Sequence, residues 1–308
     1  MAPPKATNPV EKEFLDQLIA AKLLIPCDVP GVYGRGGEFE DVIERVNDLI
    51  TREAKGDGAE VQRYPPIISR KSYETSEHLK SFPDLAGIVH SFRGKDADHK
   101  VVLEKLEKGE DWSKDFPVTD VVLTPATCYP IYPASRGTLG DNGRLVDIYS
   151  YCFRHEPSGD PARMQAFRQR EYVRVGTPDQ VREFRNVWFE RGQQILAKLG
   201  VDAKPVVAND PFFGRGGKML AMNQRDQELK FELVIPVCST ENPTACVSLN
   251  YHQDHFGHIF GIKTPDGADA HTSCIGFGME RIALAMFKKL GLSTREWPTA
   301  VRAQLWPS

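Results

Sequence analysis

Between Phe39 and Ala54 the apolar residues fall at Val42, Ile43, Val46, Leu49 and Ile50, the spacing of one helical face. Gly56 and Gly58, flanking Asp57, punctuate its end. The next run, EVQRYPPII, reads as a short strand stopped by Pro65 and Pro66, which have no amide hydrogen to give a sheet ladder. TDVVLTPATCYPIYP is strand-like, residues 151 to 176 read as a hairpin, and residues 179 to 199 read as a helix with Phe184, Val187, Trp188, Ile195 and Leu196 turned inward. LKFELVIPV and TACVSLNYH read as two more strands, and CIGFGMERIALAMFKKLGL as a glycine-marked strand running into a helix. No repeat or low-complexity linker divides the chain. The pattern therefore predicts one α+β domain over residues 9 to 308, built on an antiparallel sheet, behind a proline-rich disordered start at residues 1 to 8.

Composition narrows the classes. The 308 residues are 41% hydrophobic and 26% charged, ordinary for a soluble protein with a sizeable core. No run of about eighteen apolar residues occurs, and the start MAPPKATNPVEKEF has no apolar stretch of signal type, so a cytoplasmic protein off the membrane is expected. The six cysteines, Cys27, Cys128, Cys152, Cys238, Cys246 and Cys274, form no C-x-x-C pair, which argues against a disulfide framework or a zinc ribbon. A net charge of -3 lacks the basic excess of a dedicated nucleic-acid binder.

Residues 151 to 176, YCFRHEPSGDPARMQAFRQREYVRVG, hold two polar-studded runs around a loop carrying Pro157, Gly159 and Pro161. Side chains alternate along a strand, which puts Arg154 and Glu156 on one face, and Arg163, Gln165, Phe167, Gln169 and Glu171 on one face of the return. Guanidinium groups match phosphate oxygens and a flat ring stacks on a base, so the set suits ATP. A solvated hairpin, its charges meeting only water and one another, has the same spacing, and by pattern alone it is the commoner case. A second stretch, HTSCIGFGMERIAL, alternates Gly276 and Gly278 along a strand and sets Arg281 where a helix begins.

Taken together, F-R-x-E, a loop, R-x-x-x-F and, far downstream, G-x-G-x-E-R resemble motifs 2 and 3 of the class II aminoacyl-tRNA synthetases. Residues 38 to 67 are similar to motif 1, the dimer interface of that family, which implies a homodimer. The resemblance further implies a six- or seven-stranded antiparallel sheet flanked by helices, with ATP bound in a bent form. Carried to the matching positions, Arg154 would hold the α-phosphate, Glu156 the adenine end and Arg163 the γ-phosphate, with Phe167 under the adenine and Arg281 above it. An amino-acid carboxylate then attacks the α-phosphorus, giving an aminoacyl-adenylate and pyrophosphate. Such transfer rests on positioning and charge stabilisation, so Arg154 and Arg281 carry the catalytic role.

Within the class, LTPATCYPIYP, VSLNYHQDHFG and SCIGFGMERI are most similar to the zinc-dependent seryl-tRNA synthetases of methanogens. That branch holds Zn2+ through Cys-Glu-Cys, and the matching positions are Cys128, Glu171 and Cys274; three protein ligands leave a fourth position for the substrate amino group. Both seryl types carry a large N-terminal tRNA-binding domain, for which about thirty residues before motif 1 give no room. The chain instead resembles, nearly throughout, the bacterial amino acid:[carrier protein] ligases, also over HLKSFPDLAGIVHSF and NDPFFGRGGKMLAMNQRDQELKFELVIP. These activate glycine or alanine and pass it to the phosphopantetheine thiol of a carrier protein, so no tRNA is expected.

Several positions are open. Glu232 matches a substrate- or adenylate-contacting position in seryl relatives and is equally an outward charge on an edge strand. Glu241 and Ser248 are the nearest candidates for Mg2+ but miss the family's spacing, so phosphates and water would supply most of its ligands. An insertion at about residues 205 to 230 has a glycine-rich turn and then a helix with Lys218, Arg225 and Lys230; in the family an added helix here docks the carrier, whose acidic surface the cations would complement. GVYGRGGEFE lacks the G-K-[ST] of a phosphate loop and reads as a turn. His252, His255 and His258, read on a strand, fall on both faces and share no site. Two other functions fit the same fold: a regulator without catalysis, against which the intact motif residues argue, and a minimal tRNA ligase with a separate RNA-binding subunit.

Overall fold

The computed structural model describes residues 8–214 and 216–307. Residues 1–7, most of the expected disordered start, lie outside them; Asn8 caps the helix Pro9–Ala20 through a reciprocal bond with Glu11. The helix expected over 39–54 forms as α1 (Gly37–Glu53), with Phe39, Val42, Ile43, Val46, Leu49 and Ile50 each at most 1% exposed.

The central sheet has seven strands: β1 (Glu60–Gln62), β2 (Arg144–Phe153), β3 (Ala166–Gly176), β4 (Lys204–Val207), β5 (Lys230–Ile235), β6 (Thr244–Gln253) and β7 (His271–Gly278). Their order is β4-β5-β6-β7-β3-β2-β1, antiparallel throughout except for β1 beside β2. Helix α2 (Pro178–Lys198) starts on a capping box between Thr177 and Gln180, and α4 (Met279–Leu290) runs straight out of β7. With α1 these helices cover one face of the sheet in a single apolar core, in which the Phe39 and Phe287 rings stack at 5.6 Å. The opposite face carries a second cluster that includes Cys128, Tyr132, Val173, Phe256 and Cys274. The remaining helix used below is α3 (Gly217–Asp226). No described helix is long and apolar enough to cross a membrane.

The sequence reading needs correction at several points. EVQRYPPII is two strands, because the Pro65–Pro66 pair breaks the ladder: Glu60–Gln62 joins the central sheet and Ile67–Ser69 a separate three-stranded one with Ile88–His90 and Val118–Leu123. TDVVLTPATCYPIYP is a strand only to Leu123; past Pro125 it turns into the short helix Ile131–Ala134. Arg154, Glu156 and Arg163 lie in the loop joining β2 to β3, so strand alternation does not orient them. Val187 is 47% exposed, since Trp188 takes the inward position on α2. Within GVYGRGGEFE, Tyr33–Arg35 is a strand and α1 begins at Gly37. His255 and His258 sit on the short helix His255–Phe260. Lys230 opens β5 and is not on the inserted helix; Glu232 lies inside the sheet, with β4 as the edge.

Candidate active site

Strand register builds the floor of the site. Glu171 pairs with Gly276, Gly276 with Ser248 and Ser248 with Glu232, so one row of side-chain positions crosses β3, β7, β6 and β5. The neighbouring row runs Val173, Cys274, Asn250, Lys230. Directly paired residues share a face, and all eight positions therefore look toward the second cluster, away from the three large helices. Gly276 leaves room for the Glu171 side chain, since a Cβ on it would lie 3.3 Å from Glu171 Cγ and press that side chain aside.

Cys128 reaches the first row from the turn after the strand Val118–Leu123. One ligand atom from each of Cys128, Glu171 and Cys274 lies within 4.8 Å of the others, and the three residues are 5%, 2% and 4% exposed. Thr127 donates to Glu171 Oε1 from its hydroxyl at 2.6 Å and from its amide at 3.2 Å, and Asn250 Nδ2 donates to Cys274 Sγ at 3.6 Å. Hydrogen bonding with Cys274, burial and the Glu171 charge push the Cys128 thiol well above its ordinary value. Burial likewise raises the Glu171 carboxyl, against the bonds from Thr127, Cys128 and Cys274 that favour its anion. Two thiols and a carboxylate are thus crowded together in a buried site, and a divalent ion that prefers sulfur and nitrogen fits that donor set.

The arginines gather at the other end of the floor. Arg154 donates from Nε to Pro125 O at 3.0 Å and lies over the Phe167 ring at 5.4 Å. Arg281, at the first turn of α4, donates to Ala162 O at 2.9 Å and to Ala245 O at 3.0 Å. Burial lowers its basicity, and the charges of Arg154 and Arg163 lower it further, against an upward pull from Cys246 and Glu156. Such a cluster is a site for a polyanion. Phe167 and Arg281 line one cavity with Pro161, Ala162, Met164 and Gly278; its volume is ≈ 10 Å³, room for about one water. At the loop rim Arg163 lies 3.5 Å from Glu156 and 3.6 Å from Asp160. Glu280, next to Arg281, points to the opposite face and binds Arg168 and Arg35 at 2.8 and 3.2 Å.

Other predicted positions separate. Ser248 faces the site, whereas Glu241 is exposed in the turn before β6 and is not joined to it. His252 contacts Thr272 Oγ1 at 3.1 Å and His258 contacts Asp269 at 3.2 Å, and among the described residues no metal-type cluster contains either or His255.

The chain is 45% identical over 298 residues to "Amino acid--[acyl-carrier-protein] ligase 1" of Bradyrhizobium diazoefficiens, an alignment spanning 96% of this chain and 91% of the relative. The chain belongs to the amino acid:[acyl-carrier-protein] ligase family. A second ligase of that bacterium, number 2, is 44% identical over 301 residues, 97% of this chain and 90% of the relative. M. kandleri SerRS, solved in complex with A. aeolicus tRNASec, matches with a TM-score of 0.81 at 20% identity, covering 99% of this ligase and 61% of that chain. The ligase thus has the class II aminoacyl-tRNA synthetase fold, and its seven strands fall within the expected range. No family model matches it.

Sequence reasoning missed several residues that the ligase brings to this face, Thr127, Asn250, Tyr129, His78 and Asp210, and gave Lys230 to carrier docking instead. Register against Glu171 and Cys274 is the signal that finds Asn250 and Lys230. His78 is 6% exposed, its Nδ1 lies 2.7 Å from the Tyr129 hydroxyl, and its ring packs against Tyr73, Phe82 and Tyr129. Burial and the Arg154 charge pull the imidazole down to about 3, against an upward pull from Asp210. It is neutral in the folded ligase near neutral pH, whereas the unfolded chain binds that proton near 6.5. Unfolding in acid therefore takes up a proton, and this part of the stability, complete above the unfolded value, is lost as pH falls below it. From pH 7.5 to pH 5 the loss from this residue is about 2 kcal/mol. Urea unfolding at both pH values is expected to show His78→Phe losing less than the parent by that amount; equal losses would mean that His78 is not held neutral.

Proposed function

We propose that this ligase uses ATP to convert a small amino acid, glycine or alanine, into an aminoacyl-adenylate and then passes the acyl group to the phosphopantetheine thiol of a carrier protein. The observation that carries the reading is the pairing, on one sheet face, of a polyanion cleft formed by Arg154, Arg163 and Arg281 with the Cys128, Glu171, Cys274 donor set. Named relatives spanning nine-tenths of their own length support the carrier, rather than tRNA, as acceptor.

In this reading Arg154 neutralises the α-phosphate, where charge builds as the amino-acid carboxylate attacks, and Arg163 holds the γ-phosphate. Phe167 and Arg281 take the two faces of the adenine and Glu156 its edge. Cys128, Glu171 and Cys274 would hold Zn2+, which when bound supplies a Lewis-acid seat for the substrate amino group. Thr127 keeps Glu171 oriented, and Asn250 does the same for Cys274. Ser248 and Glu232 flank the acyl end of the floor. Mg2+ enters with ATP, held mainly by phosphates and water, since Glu241 stands apart. In the second step the thiol sulfur forms a bond to the acyl carbon, the bond from that carbon to the phosphate oxygen breaks, AMP leaves, and the thiol proton passes to solvent or the leaving phosphate.

The exposed apolar surface of α3 and its approach suits the carrier: Phe213, Met219, Leu220 and Met222 are 62%, 76%, 50% and 65% exposed, with Lys218 among them. We assign the ligase to the cytoplasm as a homodimer, its subunits meeting around α1 and the edge strand β1, where Val61 is 64% exposed. Mass spectrometry of a phosphopantetheine-bearing carrier, after incubation with ATP, the ligase and a mixture of amino acids, is expected to show the gain of one glycyl or alanyl group. A carrier left unmodified while total tRNA becomes acylated would overturn the proposal.

A further inference from the structure

Helix α3 is fastened to the sheet by a short polar chain. Gly217 is its one buried residue, and its apolar side chains face outward. Inward it sends Gln224, whose side-chain oxygen accepts from the Asp210 amide at 2.7 Å and whose side-chain amide donates to Asp210 Oδ2 at 2.9 Å. The other oxygen of Asp210 accepts from Lys230 Nζ at 2.5 Å, and Lys230 also lies 3.1 Å from Glu232. Lys230 is 8% exposed and occupies the row of Asn250 and Cys274. One continuous set of bonds thus runs from the outer helix to the floor of the site.

Charge explains why the chain is stiff at its inner end. Burial pushes the Asp210 carboxyl up, but the Lys230 charge and the bonds from Gln224 and Lys230 outweigh it and hold it below the usual carboxylate range. Burial would strip Lys230 of its proton, and Asp210 and Glu232 keep it there. A buried ammonium between two carboxylates moves with them, because leaving either exposes an uncompensated charge. The outer link is different: Gln224 is neutral, and its loss leaves Asp210 still paired with Lys230.

We infer that Gln224 is a positioning residue that couples carrier docking on α3 to the acyl site, through Asp210 and Lys230. The inference rests on the reading of α3 as the docking helix. A carrier seated on α3 shifts Gln224, Asp210 follows through both of its bonds to that side chain, and Lys230 re-sets its ammonium against the floor where the adenylate lies. The coupling acts on thioester formation, after the amino acid has been activated. Gln224 touches neither nucleotide nor thiol in this scheme.

The test compares Gln224→Ala with the parent in three measurements: ATP–pyrophosphate exchange, thioester formation on the carrier, and thioester formation on free pantetheine, which cannot dock. The expected result is that the ratio of carrier thioester kcat to exchange rate falls about tenfold, inside the usual range of coupling between sites, while the ratio for free pantetheine holds and the KM for carrier changes little. Parallel loss in all three would mark Gln224 as merely structural, and an unchanged carrier ratio would show no coupling; either overturns the inference. Met222→Asp separates the underlying reading, since it should raise the KM for carrier. If Met222→Asp leaves that KM unmoved, the carrier docks elsewhere and the inference falls with the reading. If the KM rises and the Gln224→Ala ratio stays put, the inference alone falls.

Discussion

Arg154→Ala is expected to cut ATP–pyrophosphate exchange by about a thousandfold, chiefly in kcat, in line with the loss of one charged group that stabilises a transferring phosphoryl. The Nε bond to Pro125 O fixes one edge of this guanidinium and its contact with the Phe167 ring restricts it further, so its position is largely set before reaction. Alanine removes both the charge and the surface that packs on the ring. Arg154→Lys keeps a charge but cannot present a planar fork, and a partial recovery is expected from it. Exchange within tenfold of the parent in the alanine variant would remove Arg154 from the chemistry.

Cys274→Ala should strip the metal and amino-acid activation together. Zinc content measured by mass spectrometry is expected to drop from about one ion per chain to near zero, and exchange to fall about a hundredfold or more, because two remaining donors do not make a stable tetrahedral site. Cys246→Ala is the matched control. That thiol is also buried, at 1% exposure, but it packs in the core under the three large helices, so it should keep its metal while losing some stability. Unchanged metal content in Cys274→Ala would take that residue out of the ligand set.

How much of this was legible in the sequence depends on the range of the interaction. The period of α1 is readable because six apolar positions all face one core, whereas F-R-x-E and G-x-G-x-E-R, each crossing the end of a strand, point to the fold through their resemblance to the class II motifs. Parity also put Phe167 and Glu171 on one face correctly, since both lie in β3. It failed for Arg154, Glu156 and Arg163, where the chain leaves the ladder and side-chain direction is set by loop bonds such as that from Arg154 to Pro125. Lys230 falls where two readings overlap, the polar run from Gly214 and the strand LKFELVIPV, and pairing with Asn250 puts it in the strand. The bonds of Asp210 to Gln224 and Lys230 join an irregular segment to a helix and a strand, and no periodicity announces such a meeting.

The narrowness of the space between Phe167 and Arg281 has a kinetic meaning. The space there has room for about one water, so on the proposed function a purine would enter only as Phe167 and Arg281 part. Arg281 is held there by its bonds to the Ala162 and Ala245 carbonyls, so moving it aside for a ring would cost one or both of them. An admitting conformer that is rarely populated would lower the apparent affinity by that fraction and slow capture below the rate of collision. On the same proposal, an arginine closed over a newly formed adenylate would slow its release.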